Sequence, residues 1–148
     1  MRNRAGFTLI EIATALTIVS LLVLIGIPKF NDAMTRENVR GARTTVINML
    51  ARAKATATQT GRRTYFVRNG NRAWIVTRRT FSGTVFDTVG VVEHLSTRYG
   101  DTLAVSGSDS IRFDPRGMSW GGVTDTIRIT KSGHVDRVAV DVLGRVSK

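Results

Sequence analysis

The sequence predicts an α+β protein. A long N-terminal α-helix, membrane-spanning in its first half and amphipathic in its second, packs on a small antiparallel β-sheet domain. Three observations carry this expectation. Residues 7–27 form an apolar run broken by one charge, Glu11. Apolar residues then recur at three- and four-residue steps as far as Ala57. From Thr64 onward, polar and apolar residues alternate around glycine-containing turns.

The apolar run reads FTLIEIATALTIVSLLVLIGI. As a helix its 21 residues span roughly 31 Å, close to the hydrocarbon thickness of a bilayer. It is longer than the apolar region of a cleaved secretory signal and ends at Ile27-Pro28-Lys29-Phe30 without small residues at a cleavage site, so it reads as retained. Arg2 and Arg4 ahead of it favour a cytoplasmic amino end, against the competing charge of Lys29 and the arginines after it. A buried core helix is the alternative, although few are apolar on every face over 21 residues. A carboxylate within such a span costs about 2.5–3.5 kcal/mol, which makes Glu11 a functional candidate in need of a partner, unless it lies near enough to the headgroups to stay hydrated.

Beyond the run, Val39, Ala42, Val46, Met49, Leu50, Ala53 and Ala57 define the apolar stripe of an amphipathic helix. Arg36, Arg40, Arg43, Asn48, Arg52 and Lys54 fill much of the remaining surface, and Gly61 is placed to terminate it. The helix should continue from the apolar run with a bend near Gly26 and Pro28, because proline removes a backbone hydrogen bond and crowds the preceding turn.

The β half begins with a hairpin, residues 64–68 and 73–77 around Asn69-Gly70-Asn71. Residues 81–90 read as an exposed loop, and residues 102–106 and 110–114 as short strands. A second hairpin joins residues 124–130 to 134–142 through Lys131-Ser132-Gly133.

The chain of 148 residues carries a net charge of +11, and the excess is local. Residues 29–79 hold +10, whereas residues 80–148 are neutral. Eighteen of the 22 basic residues are arginine, the side chain suited to bidentate phosphate or carboxylate contacts. There is no cysteine, which excludes disulfides, thiolate metal sites and a cysteine nucleophile. Only two histidines are present, His94 and His134, and no metal or cofactor site is expected. Asp136 and Asp141, five apart on an expected strand, should point to opposite faces and form no carboxylate pair. Residues 117–122 lack the Gly-Lys-Ser/Thr of a phosphate loop. No enzyme is expected. Trp74, Trp120, Tyr65, Tyr99 and the phenylalanines sit at scattered strand positions, where core packing is the common role.

Gly6-Phe7-Thr8-Leu9-Ile10-Glu11, with a short basic leader before it and an apolar helix reaching Pro28 after it, resembles the class III signal of type IV pilins and type II secretion pseudopilins. The resemblance implies cleavage between Gly6 and Phe7 by a prepilin peptidase and methylation of the new amino group on Phe7. It also implies assembly into a helical filament, in which Glu11 faces the Phe7 amine of a neighbouring subunit. An opposite charge at that distance is what an ionised buried carboxylate requires. The domain organisation that follows is a leader at 1–6, a membrane and filament-core helix at 7–28, an amphipathic continuation at 29–60, and a periplasmic globular β domain at 61–148.

Ile111-Arg112-Phe113-Asp114-Pro115-Arg116-Gly117, then 138–142 leading to Gly144-Arg145-Val146, resembles the pseudopilin H and FimT/FimU group of minor pilins. The C-terminal cysteine pair of many major pilins and the acidic loop of major pseudopilins are missing, which points to a minor subunit. The resemblance implies a minor pseudopilin in the periplasmic filament of a type II secretion system, near its tip. Its partners would be the membrane, other minor and major pseudopilins or pilins, and the inner-membrane assembly platform. The alternative is a FimT-like minor pilin that primes a pilus or binds DNA for uptake. For DNA, the resemblance points to a C-terminal Gly-Arg-x-Arg motif. Gly144 and Arg145 match it, Ser147 departs from it, and Lys148 follows one residue later. Arg62 and Arg63 are further DNA candidates, although solvated or assembly-facing arginines are the simpler reading.

Overall fold

The computed structural model describes residues 6–80, 83–120 and 124–147. The chain divides into two compact units, Met1–Met34 and Thr35–Lys148, and helix α1 (Leu9–Thr60) supplies residues to both.

In the first unit the helix is apolar on all sides, with an 18-residue window of mean hydropathy 2.4, none of it buried. It is long and apolar enough to cross a membrane. Its hydroxyls are satisfied internally. Thr14, Thr17 and Ser20 donate to the carbonyls of Ile10, Ala13 and Leu16 at 2.8, 2.9 and 2.8 Å. Helix α1 continues through Pro28.

The second unit contains the rest of α1 and β1 (Thr64–Asn69), β2 (Arg72–Arg78), β3 (Phe86–Thr88), β4 (Glu93–His94), α2 (Leu95–Tyr99) and β5 (Ala104–Gly107). It continues with β6 (Ser110–Phe113), β7 (Asp125–Lys131), β8 (His134–Val140) and β9 (Val146–Ser147). The sheet expected from the sequence resolves into two. One has the order β3-β2-β1-β6, with β4 also on β2, and the other β5-β7-β8-β9. All pairings are antiparallel.

The seven α1 residues of the apolar stripe are all buried, in one core with Phe66, Ile75, Leu95, Leu103, Ile111, Phe113, Ile127, Ile129, Val138 and Val140. Burial of this apolar surface is the main stabilising contribution. The helix is fastened at its edges by polar contacts. The Thr45 and Tyr99 hydroxyls lie 2.6 Å apart, and Arg43 pairs with Asp136 at 3.0 Å.

Both hairpins close through left-handed residues. Asn69 pairs with Arg72 around Gly70 (φ 57°), and Lys131 pairs with His134 around Ser132 (φ 46°) and Gly133 (φ 83°). Turns of this hand match strand twist. The first hairpin tip also joins the two sheets. Arg68, buried on β1, donates to the carbonyls of Val105 and Gly107 on β5, each at 2.9 Å, and pairs with Asp109. The Asn71 amide donates to the Leu103 carbonyl at 2.7 Å, and its oxygen accepts the Val105 N–H at 3.1 Å.

Three local expectations change. Within 81–90, expected as a loop, Phe86–Thr88 pairs with the edge of β2, and Phe81 and Ser82 lie outside the described residues. Arg79 clamps this added strand through Asp87 at 2.7 Å. The Arg79 hydrogen bond holds the Asp87 carboxyl below its ordinary range, against an opposing desolvation and aided by the charges of Arg79 and Arg62. Helix α2 and strand β4 were not foreseen, being too short to show a period. Finally, the last long strand ends at Val140, because Asp141 begins a turn.

That turn has a twin. Asp114 Oδ1 accepts the N–H groups of Arg116 and Met118 at 2.9 Å, and Asp141 Oδ1 accepts that of Arg145 at 2.7 Å. Gly117 (φ 80°) and Gly144 (φ 68°) each return an N–H to the carbonyl of their aspartate at 2.9 Å. The two glycines abut, so a Cβ on Gly144 would strike the Gly117 carbonyl oxygen. Lys54 on α1 closes the group by donating to the Gly144 carbonyl at 2.9 Å.

Replacing Arg68 with Met strands the buried Val105 carbonyl, removes the bond to Gly107 and should lower stability by about 2–3 kcal/mol in chemical denaturation. Gly144→Ala combines backbone strain with a clash and should cost roughly 2–3 kcal/mol. Gly133→Ala, with open space around it, should cost only about 1 kcal/mol. Equal losses for the two glycine variants would contradict the proposed contact between the twin turns.

Candidate functional site

The first cluster of candidate residues lies at the start of α1. Gly6 precedes the helix with open space around its Cα, and Phe7 is 80% exposed. Thr8 and Glu11 form a reciprocal cap. The Thr8 hydroxyl accepts the Glu11 N–H at 3.3 Å, and Glu11 Oε2 accepts the Thr8 N–H at 3.5 Å. The spacing Thr-x-x-Glu permits this because the third residue of a helix reaches back over its first turn. The carboxylate also sits at the positive end of the helix dipole. Phe7 and Glu11 line one shallow groove of about 300 Å³ with Ile12, Ala15, Leu16 and Val19. Pro28, the remaining candidate of this segment, lies inside α1.

The second cluster is cationic and lies on the first sheet. Alternation along β1 buries Thr64, Phe66 and Arg68 and turns Tyr65 and Val67 to the other face. On that face, register places Arg112 of β6 opposite Tyr65, and Phe86 of β3 opposite Arg78 of β2. Arg112 lies 4.3 Å from the centre of the Trp120 ring and Arg63 lies 5.4 Å from it. Arg78 lies 5.9 Å from the Phe86 ring, whose edge meets Tyr65 at a centroid distance of 5.4 Å. Trp120 is 58% exposed, so the expectation that it packs in the core is corrected. Its backbone N–H donates to the Arg112 carbonyl at 2.9 Å, which extends the β6 edge.

Arg63, Asp114, Pro115, Arg116 and Trp120 line an open cleft of about 350 Å³. The structure therefore brings Arg63 together with Arg116 and Trp120. Arg145 lies exposed on the neighbouring turn, whose Gly144 abuts Gly117. Arg62 is exposed just past the end of α1, and Lys148 lies outside the described residues. Sequence reasoning missed Arg112, Arg116 and Trp120 as members of a group. The residues 110–120 carried no signal that β6 pairs with β1 rather than with its sequence neighbour β5.

The acidic and histidine residues are dispersed. Asp136 is committed to Arg43, and Asp141 to its turn beyond β8. Among the described residues, no group of three or more His, Asp or Glu could hold a metal ion.

Comparison with known proteins gives two family matches. Residues 1–27 match the prokaryotic N-terminal methylation motif, and residues 42–144 match the type II transport protein GspH. None of the curated proteins compared matches the chain. Two crystal structures of the type IV minor pilin FimU from Pseudomonas aeruginosa PAO1 are similar. The P21 form has a TM-score of 0.59 at 16% identity, covering 76% of this chain and 88% of that one. The P65 form has a TM-score of 0.57 at 17% identity, covering 73% and 90%. At these identities the likeness is one of fold, a long helix packed on antiparallel sheets. The GspH match spans more than two thirds of the sequence, from Ala42 on the buried stripe of α1 to Gly144 of the second Asp-x-x-Gly turn. The chain belongs to the GspH family of minor pseudopilins and pilins and carries their N-terminal methylation motif.

Proposed function

We propose that the protein is a minor pseudopilin of a type II secretion system, processed at the inner membrane and built into a periplasmic filament that moves exported proteins outward. The observation that carries this reading is the match of residues 42–144 to the type II transport protein GspH. In this reading a prepilin peptidase hydrolyses the Gly6–Phe7 bond on the cytoplasmic side, and the freed Phe7 amine is methylated. The bond lies just ahead of the helix, where an extended peptide fits a protease. The apolar segment of α1 spans the inner membrane with the second unit in the periplasm, until the assembly platform transfers it to the filament.

Cleavage changes the electrostatics at the helix start. It removes Arg2 and Arg4 and leaves a cationic amine four residues from Glu11. In the filament core Glu11 exchanges its cap on Thr8 for the Phe7 amine of a neighbour, so each buried charge gains an opposite charge.

A second reading, a FimT-like minor pilin that captures DNA, is favoured by one observation. Arg63 and Arg116 share an open cleft, and the turn bearing Arg145 lies beside it. Salt-dependent binding of duplex DNA, weakened by substitution of these arginines, is its test.

For the filament reading, Glu11→Ala should leave membrane insertion and leader cleavage intact and reduce incorporation into filaments at least tenfold. Sheared-fraction immunoblotting beside a processing assay separates the two steps. Normal incorporation of the variant would remove the pairing of Glu11 with Phe7. Gly6→Leu should block processing and leave the longer precursor in the membrane fraction.

A further inference from the structure

We propose that the outward face of the β3-β2-β1-β6 sheet binds single-stranded nucleic acid, with bases stacking on Trp120 and phosphates held by Arg63, Arg78 and Arg112. The assignment rests on the DNA reading above and goes beyond it by naming the strand form and a surface outside the C-terminal motif.

The face alternates rings and guanidiniums across its strands. Trp120 lies against Arg112 and Arg63, and Tyr65 meets the edge of Phe86, which lies under Arg78. Each guanidinium lies near a ring, and the Nε atoms of Arg78 and Arg112 are buried without a hydrogen-bond partner. The terminal nitrogens of Arg78 and Arg112 offer the fork geometry that suits an oxyanion. Trp120, at 58% exposure, and Phe86, at 45%, leave ring surface uncovered.

Charge selects the partner. Arg62, Arg72 and Arg116 are exposed on or beside these strands, and the carboxylates of Asp87 and Asp114 already have partners. Asp87 is held by Arg79, and Asp114 accepts backbone N–H groups. A partner must therefore supply negative charge and flat stacking surfaces in alternation, which is the covalent pattern of a polynucleotide. In a duplex the base faces are stacked on one another. Only an unpaired strand can use an exposed indole, and stacking of this kind is indifferent to base identity. Interface cores of proteins also favour Trp, Tyr and Arg, so a subunit contact is the competing occupant.

The full chain in detergent micelles provides the test. With Trp74→Phe in the background, Trp120 is the single tryptophan. Oligo-dT should quench its fluorescence and bind more tightly than a duplex of equal length. Trp120→Ala should weaken oligo-dT binding on the order of tenfold, while Trp120→Phe restores most of it. Arg112→Gln should lower the slope of log affinity against log salt by roughly 0.7. Arg128→Gln, on the exposed face of the other sheet, should leave the quenching unchanged. Duplex binding as tight as oligo-dT, or oligo-dT binding insensitive to Trp120→Ala, would overturn this assignment and leave the DNA reading standing. Failure of both polymers to bind would remove both. Loss of filament incorporation in Trp120→Ala, without oligo-dT binding, would give the face to a neighbouring subunit instead.

Discussion

Two sheets with separate hydrogen-bond ladders enclose one hydrophobic core, and what couples them is a polar grip at the tip of the first hairpin. Arg68 and Asn71 together satisfy the carbonyls of Leu103, Val105 and Gly107 and one N–H of β5. Without these contacts, β5 would present unpaired backbone at the seam where apolar side chains of both sheets meet, and buried unpaired groups are costly. The grip also fixes where the β7–β8 hairpin lies, since β5 is the strand on which β7 pairs. The apolar stripe of α1 then has a defined floor to cover.

Much of this fold was legible in the amino-acid pattern. The stripe from Val39 to Ala57 repeats with the helical period, and all seven of its residues are buried. Asn69-Gly70-Asn71 and Ser132-Gly133 marked the two long hairpins because left-handed turns restrict residue choice. Which strand pairs with which was not legible. The burial of Arg68 on the first strand had no local signal, because its partners lie 37 and 39 residues away. Phe86–Thr88 was hidden among loop residues, since three residues show no alternation and its pairing depends on the β2 edge.

The candidate sites divide the same way. Gly6, Phe7 and Glu11 were proposed from a short contiguous motif, which a sequence displays without knowledge of the fold. The reciprocal cap of Thr8 and Glu11 lies within that motif. The arginine–tryptophan face required the tertiary structure. Trp120 lies eight residues from Arg112 and 57 from Arg63, and only the β1–β6 pairing brings all three together. Part of the basic character thus acquires a specific place, with Arg63, Arg78 and Arg112 lying near rings on one sheet.

The hydroxyls of Thr14, Thr17 and Ser20 lend a different property to the apolar segment. Each is bonded to a carbonyl one turn back in its own helix, so none asks anything of its surroundings. A helix with such self-contained polarity presents the same undemanding surface to acyl chains and to the side chains of other helices. Moving it between a fluid environment and a packed one therefore breaks no polar contact along these turns. Along this apolar stretch the one charged side chain is Glu11, which holds its own cap on Thr8.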